Sequence, residues 1–173
     1  MAPNTLITLG GLILFGLFVL STNNIILNQT DVAVSSEFQI SAIGFGQSLI
    51  EEAKMKKFDE AEVSGTISTV NNLTVSGSLG RETGETYTSP DSSYTGNFAS
   101  LRNFDDFDDY NNYRRIVSSP RAENFAVSST VSYVSETWPD SSVASRTFAK
   151  KLRVTVSSPY MTNNVILEYV FIF

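Results

Sequence analysis

The sequence predicts an α+β protein in which one long N-terminal helix, apolar in its first half and amphipathic in its second, packs on a C-terminal antiparallel β-sheet. Three observations support this prediction. The first 30 residues contain no charged side chain, the next 27 repeat apolar residues at helical spacing, and the last third alternates apolar and polar residues with period two. The helix is expected from about Asn4 to Lys57, a length of roughly 80 Å at about 1.5 Å per residue.

The first half of this helix is apolar enough to cross a membrane. The run from Leu6 to Leu20 is interrupted only by Thr8 and three glycines, and it resumes at residues 25–27 after the polar patch 21–24. About 20 mostly apolar residues are enough to span a bilayer. We therefore expect the segment to lie in a membrane or at the centre of an assembly. Its predicted contact residues are Leu6, Leu9, Gly10, Gly11, Leu12, Leu14, Phe15, Gly16, Phe18 and Leu20.

The three glycines of the apolar run, Gly10, Gly11 and Gly16, admit two interpretations. Glycine is tolerated in lipid-embedded helices more often than in soluble ones. Small residues also let two helix backbones approach closely, and the adjacency of Gly10 and Gly11 favours this second interpretation.

From Asp31 the helix becomes amphipathic. Glu52 and Lys56 are spaced for an ion pair on its solvent side. The helix is predicted to end near Phe58, because Asp59 begins an acidic break, so the chain divides into residues 1–30, 31–60 and 61–173. One apolar stripe is expected to cover the sheet, and it consists of Phe38, Ala42, Phe45, Leu49 and Ala53.

Three strands are predicted in the last third, at residues 125–133, 148–156 and 165–173, with turns between them. The third strand is apolar on both faces and is therefore predicted to be buried on both. Its residues Leu167, Tyr169 and Phe171 are expected to meet the helix stripe. Residues 66–78 are predicted to form a loose hairpin, and residues 80–120 a long surface loop.

Composition excludes several classes of function. The net charge is −6, and the 12 Lys and Arg residues are mostly scattered, so nucleic acid is not an expected partner. The chain contains no Cys and no His, which removes the commonest nucleophile–base pairs and zinc sites. We therefore expect neither an enzyme nor a cofactor.

An acidic and aromatic run at residues 104–110 is the one candidate metal site. Its four aspartates supply oxygen ligands of the kind that calcium prefers, but their spacing is not that of an EF-hand loop. The alternative is a solvated acidic turn anchored by Phe104, Phe107 and Tyr110. The calcium candidates are Asp105, Asp106, Asp108 and Asp109.

Two tripeptides fit the acceptor pattern for N-glycosylation, beginning at Asn28 and at Asn72. This pattern often occurs by chance. Asn28 lies in the apolar half of the long helix, so Asn72 is the more credible acceptor.

The order of these elements resembles the type IV pilins and their pseudopilin relatives. Residues 47–53, with the sequence QSLIEEA, followed by FDE at residues 58–60, are similar to the end of the spine helix in minor-pilin-like proteins. The loop of those proteins often contains an acidic and aromatic run like that at residues 104–110. The resemblance implies a pilin-like fold.

The function implied by the resemblance is that of a structural subunit of a bacterial, extracellular, type IV pilus-like filament, or fimbrium, with a role in cell adhesion. The subunit polymerises through its hydrophobic helix and is held in the inner membrane before assembly. Its implied partners are identical subunits, minor pilins and the assembly machinery. The alternative is a single-span, membrane-anchored β domain or a minor pseudopilin of a secretion system.

Two features depart from the family pattern. Type IV pilins usually carry a short basic leader, and nothing basic precedes the apolar run here. They also carry a Glu at the fifth mature position, where this chain has Thr5. Either residue 1 is at the mature end, or the protein enters its assembly by another route, without the charge that family members are thought to use for docking.

Overall fold

The computed structural model describes residues 2–65, 67–92, 97–118 and 124–173, with side chains from residue 4 onwards. It divides into two compact units, Met1–Phe38 and Gln39–Phe173. We name them the N-terminal unit and the head. Helix α1, Ala2–Lys54, forms the described part of the first unit and continues into the second. The predicted α+β fold with a long N-terminal helix is confirmed, and the helix ends three residues before the predicted boundary.

The head contains a five-stranded mixed sheet whose spatial order follows the chain order. The strands pair antiparallel except for β1 and β2, which are parallel. The three predicted strands correspond to β3, β4 and β5, and they are confirmed. The strand bounds are β1 Asp91–Ser92, β2 Arg114–Val117, β3 Phe125–Tyr133, β4 Ala149–Ser157 and β5 Val165–Ile172.

The segment predicted as a long loop, residues 80–120, is more ordered than expected. It contributes strands β1 and β2 and a short helix, α3, at Ala99–Asn103. A further short helix, α2, follows α1 at Glu60–Ser64. The short strands escaped prediction because neither is long enough to show a period-two pattern.

The hairpin predicted at residues 66–78 is wrong. Thr66 lies outside the described residues, and the rest contains two 3₁₀ turns, Val70–Asn72 and Ser76–Ser78. The Asn72 side-chain oxygen accepts hydrogen bonds from the N–H and the hydroxyl of Thr69, at 3.1 and 2.9 Å. Such local side-chain bonds compete with strand pairing. Ile67 and Leu73 of the segment are instead buried in a cluster with Phe58, Leu79 and Tyr133, whereas Val75 is exposed.

The helix packs on the sheet through small residues. Ala42, Leu49 and Ala53 of the predicted stripe are fully buried, and Gly46 is buried between them. A Cβ atom at Gly46 would lie 2.7 Å from Leu167 Cδ1 and 3.3 Å from Val156 Cγ2. The predicted stripe is thus confirmed within the head, with the closest approach at a glycine that the sequence pattern did not single out.

Aromatic contacts extend this interface. The ring of Phe45 lies 5.0 Å from that of Phe125 in an edge-to-face arrangement. The Lys54 ammonium lies 5.5 Å from the centre of the Tyr169 ring. Phe38, the first residue of the predicted stripe, is the last residue of the N-terminal unit.

The prediction that strand β5 is buried on both faces is wrong. The strand lies at the edge of the sheet, and Ile166 and Ile172 are 47% and 65% exposed. The opposite face is half-buried, and there the Phe171 ring lies 5.2 Å from that of Phe107 and 5.6 Å from that of Phe58. Among the described residues, no second layer covers the side that carries Ile166 and Ile172. The apolar character of both faces of β5 therefore did not imply that both faces are buried.

The close approach at Gly46 gives a first prediction. Gly46→Leu should destabilise the head by at least about 2 kcal/mol, because the added side chain would have to displace Leu167 and Val156. Gly44→Leu is the matched control, since nothing lies within 4 Å of a Cβ there. It should leave stability unchanged or raise it by up to about 1 kcal/mol through helix propensity. Urea unfolding of the detergent-solubilised protein, followed by near-UV circular dichroism, measures both; equal effects would contradict the assigned contact.

Candidate functional site

The N-terminal unit presents an apolar surface around its whole circumference. Every large apolar side chain between residues 6 and 20 is exposed, including Leu6 at 70% and Phe15 at 67%. The most apolar 18-residue window of the helix has a mean hydropathy of 2.1. This meets the length and hydropathy requirements of a membrane span, as signal sequences also do. A helix that is apolar all round is normally buried, in lipid or among other helices.

Four hydroxyl groups of this helix are hydrogen-bonded to its own backbone. The side chains of Thr8, Thr22, Thr30 and Ser36 each donate a hydrogen bond to the carbonyl four residues earlier, at 2.8 to 3.1 Å. Such bonds remove the penalty of placing a hydroxyl in apolar surroundings.

Amide side chains form the other polar feature of the N-terminal unit. Asn23, Asn24, Asn28 and Gln29 have no hydrogen-bond partner among the described residues. Asn28 and Gln29 line a shallow apolar groove with Ile25, Val32 and Ala33. These amides are therefore free to bind a group outside the chain.

The predicted contact glycines have no role that the chain itself explains. A Cβ atom at Gly10, Gly11 or Gly16 would meet nothing within 4 Å. Each glycine lowers helix stability by up to about 1 kcal/mol relative to alanine. A packing reason for them would have to lie outside this chain.

Among the described residues of the head there are two buried ion-pair networks, and the first is centred on Glu52. Its Oε2 accepts a hydrogen bond from Arg115 Nη1 at 2.7 Å, and its Oε1 accepts from Ser100 Oγ and Tyr110 Oη at 2.6 and 2.9 Å. The predicted surface pair of Glu52 with Lys56 is wrong. Glu52 adjoins the buried Ala53 and faces the core, while Lys56 Nζ donates to backbone carbonyls of the 101–104 segment.

The second network is centred on Lys150, whose side chain is completely buried. Its ammonium donates to Asp59 Oδ2 at 2.7 Å, to Asp108 Oδ1 at 2.5 Å and to the Phe58 carbonyl at 2.8 Å. A lysine has three N–H donors, so all are used. The network joins the chain just after α1, the acidic run and strand β4.

Asp59 is the most heavily bonded member of this network. Besides Lys150, it accepts the N–H of Ala61 and the N–H and hydroxyl of Thr74. Burial raises the pKa of its carboxyl, but the hydrogen bond and charge of Lys150, together with these N–H groups, outweigh burial and hold the pKa below its usual range. Asp59 is therefore charged at neutral pH.

The acidic run is not a solvated turn. Its anchors Phe104, Phe107 and Tyr110 are buried as predicted, but Asp106, Asp108 and Asp109 are buried as well. The run folds around its own carboxylates. Asp106 Oδ1 accepts the N–H groups of Asp108 and Asp109, and Asp109 Oδ2 accepts those of Asp105 and Asp106.

The four calcium candidates are not brought together as one site. Asp108 is paired with Lys150, and Asp106 is turned toward the backbone. Asp109 instead joins Glu82 and Glu85, and one carboxylate oxygen of each lies within 4.8 Å of the others. The sequence analysis missed both glutamates, because nothing in the local pattern links them to the acidic run.

Several carboxyls here have strongly perturbed pKa values. Burial and the charges of Asp108 and Asp109 raise the pKa of Asp106 to about 10. Burial and the neighbouring Glu85 raise the pKa of Asp109 to about 9 and that of Glu82 to about 7. The common cause is an excess of buried negative groups over cations.

Sequence reasoning also missed Glu52, Arg115, Lys150 and Asp59 as buried charges. A signal existed for Lys150, because it occupies the position between Phe148 and Leu152 on the apolar face of β4. A lysine at such a position must find acidic partners. The identity of those partners could not be read from the strand.

No protein-family model matches the chain, and neither a curated protein nor a solved structure shows significant similarity to it. Two features of the chain itself bear on function. The head holds buried ion pairs that fix its fold, and the N-terminal unit presents exposed apolar side chains. The second feature is the candidate functional site, and it is suited to association.

A second prediction concerns the Lys150 network. Lys150→Met should destabilise the head by about 3 to 5 kcal/mol, because Asp59 and Asp108 would be left buried without their cation. Lys57→Met is the control, since it removes only a surface pair with Glu62 and should change stability by less than about 1 kcal/mol. Urea unfolding measures both. A loss below about 1 kcal/mol for Lys150→Met would contradict the network.

A third prediction follows from the pKa of Asp59. A carboxyl whose pKa is depressed on folding contributes stability above its unfolded pKa, and this contribution is lost as the pH falls through the folded pKa. Asp59→Asn should therefore be less stable than the parent at pH 6, with a gap that narrows below about pH 4. Unfolding of both proteins over this range tests it, and a gap independent of pH would be the contrary result.

Proposed function

We propose that the protein is a structural subunit of an extracellular, type IV pilus-like helical filament and that it polymerises through its N-terminal apolar helix. The observation that carries the proposal is the exposure of this helix. Fourteen large apolar side chains between residues 6 and 27 are exposed. Their burial would contribute on the order of 20 to 40 kcal/mol before ordering entropy is subtracted, so a stable monomer in water is not a reasonable state.

Two environments can bury this surface in turn. The inner membrane would hold the subunit before assembly, since the helix has the length and hydropathy of a span. Identical subunits would then replace lipid when the helices bundle, with minor pilins and an assembly machinery as further partners. The head would face the outside of the filament.

The glycines and amides of the N-terminal unit support bundling over a solitary span. Gly10, Gly11 and Gly16 leave open space beside the backbone, which a neighbouring helix can occupy. The unpaired amides at Asn24 and Asn28 can form hydrogen bonds between helices. Neither feature benefits a helix that is surrounded only by lipid.

The alternative function is that of a single-span, membrane-anchored β domain, or of a minor pseudopilin of a secretion system. The observation that favours it is the same span-like helix, which by itself requires only a bilayer. The two functions differ in one product, since only the filament subunit forms long, regular fibres that consist mainly of this chain.

A fourth prediction tests the filament and the glycine contact together. Cells that express the protein with its assembly machinery should yield regular surface fibres, visible by electron microscopy and composed of this chain. Gly16→Leu should reduce the fibre yield at least about tenfold, since a bulky side chain would keep neighbouring helices apart. Gly16→Ala is the matched control and should retain fibres.

Two results would count against the proposal. Absence of fibres from the parent protein, with the chain intact in the membrane, would favour the single-span alternative. Fibres from Gly16→Leu at the parental yield would remove the packing role of this glycine. The head's near-UV circular dichroism should be unchanged in both variants, which separates assembly from folding.

A further inference from the structure

We propose that Glu82, Glu85 and Asp109 form a binding site for a hard divalent cation of the calcium class. One carboxylate oxygen from each residue lies within 4.8 Å of the other two. Calcium binds oxygen at about 2.3 to 2.6 Å, so ligands on opposite sides of one ion are about 5 Å apart. The three oxygens are thus close enough to contact a single ion. The site is independent of the proposed filament.

The Asp109 carboxylate provides the second observation. The residue is fully buried, and its Oδ2 accepts backbone N–H groups of Asp105 and Asp106, at 3.0 and 3.1 Å. Its Oδ1 has no hydrogen-bond partner. A buried carboxylate oxygen without a donor is strongly unfavourable unless a cation or proton satisfies it. Glu82 Oε2 is unsatisfied in the same way.

No cationic side chain in the part of the chain that the structure describes neutralises this group. Among the described residues, none of the three carboxylates forms an ion pair with a Lys or Arg. Arg81 lines the same cleft as the two glutamates, but it forms no ion pair with them and places its guanidinium over the Tyr87 ring at 4.4 Å. Within the described ranges, the three carboxyl groups therefore lie together without an ion-pair partner.

The glutamates are held on a tight turn that opens to solvent. The Glu82 N–H donates to Glu85 Oε2 at 2.8 Å, and Gly84 has a φ of +116°, which favours glycine. Both glutamates line a surface cleft of about 390 Å³ beside Gly80 and Asn112. The cleft gives an ion access to the two glutamates and leaves room for the water molecules that complete six to eight ligands.

Calcium fits this geometry better than magnesium does. Calcium accepts irregular coordination by several carboxylates, whereas magnesium demands a near-ideal octahedron and keeps most of its water. An ion here would connect the turn at residues 82–85 to the acidic run, whose Asp108 is already paired with Lys150. Calcium should therefore stabilise the head.

The test uses the full-length protein in detergent, stripped of metal with a chelator. Added Ca²⁺ should raise the Tm of the head by about 5 to 10 °C at concentrations on the order of 100 times Kd, and the chelator should reverse this rise.

Glu85→Gln and Glu82→Gln should each abolish the rise in Tm on addition of Ca²⁺. Without metal, both variants should be at least as stable as the parent, because a like charge is removed. Asp140→Asn, an exposed site elsewhere, should respond like the parent.

Calorimetric titration of the parent with Ca²⁺ measures binding directly and does not depend on how the variants fold. One binding event per chain that is lost in Glu82→Gln supports the site. Absence of heat and of a Tm shift in the parent would overturn it, as would an unchanged Ca²⁺ response in both glutamine variants. An equal response to Mg²⁺ would overturn the assignment to calcium. Stabilisation by acidification alone, with no effect of metal, would show that a proton occupies the group instead.

Discussion

The fold of the head depends on the buried ammonium group of Lys150. Three chain segments far apart in sequence, at Phe58–Asp59, at Asp108 and in β4, supply or receive its hydrogen bonds. Asp59 extends the network to a further segment, because its carboxylate also accepts the N–H of Thr74. A buried charge that loses its partner is strongly destabilising, so these segments must fold together. The network thus contributes to the specificity of the fold as well as to its stability.

A second buried pair, Glu52 with Arg115, acts at the last turn of α1 in the same way. Together the pairs fix the end of the helix against both the strands and the acidic run. Close packing at Gly46 fixes the same helix less than two turns before Glu52. Apolar contacts alone tolerate sliding along a helix axis, whereas a buried carboxylate has one position in which its donors are satisfied. The small residues bring the helix close, and the ion pairs set its register.

The sequence was sufficient to predict the long helix, the face that it buries and the three long strands. The second half of the helix repeats apolar residues at helical spacing, β3 and β4 alternate with period two, and β5 is a short apolar run that follows turn residues. The sequence was insufficient for β1, β2 and the two turns near Asn72, which are too short for periodicity. The exposed face of β5 was predicted wrongly, since apolar character does not reveal whether a covering layer exists. Only one of the three residues of the candidate cation site was predicted from the sequence. Asp109 lay within the acidic run, but its grouping with Glu82 and Glu85 depends on how the chain folds back in space.

The distribution of charge separates folding from the proposed assembly. The buried ion pairs of the head, among the described residues, begin at Glu52 and use nothing from the N-terminal unit. The first charged side chain of the chain is Asp31, so burying residues 6–27 between subunits or in lipid requires no ion to be desolvated. The hydroxyls of Thr8 and Thr22 in this segment are already bonded to carbonyls of their own helix. Transfer of this helix from a membrane to a bundle therefore exchanges one apolar environment for another. Close packing at the glycines and hydrogen bonds between amides are then the terms that favour the bundle.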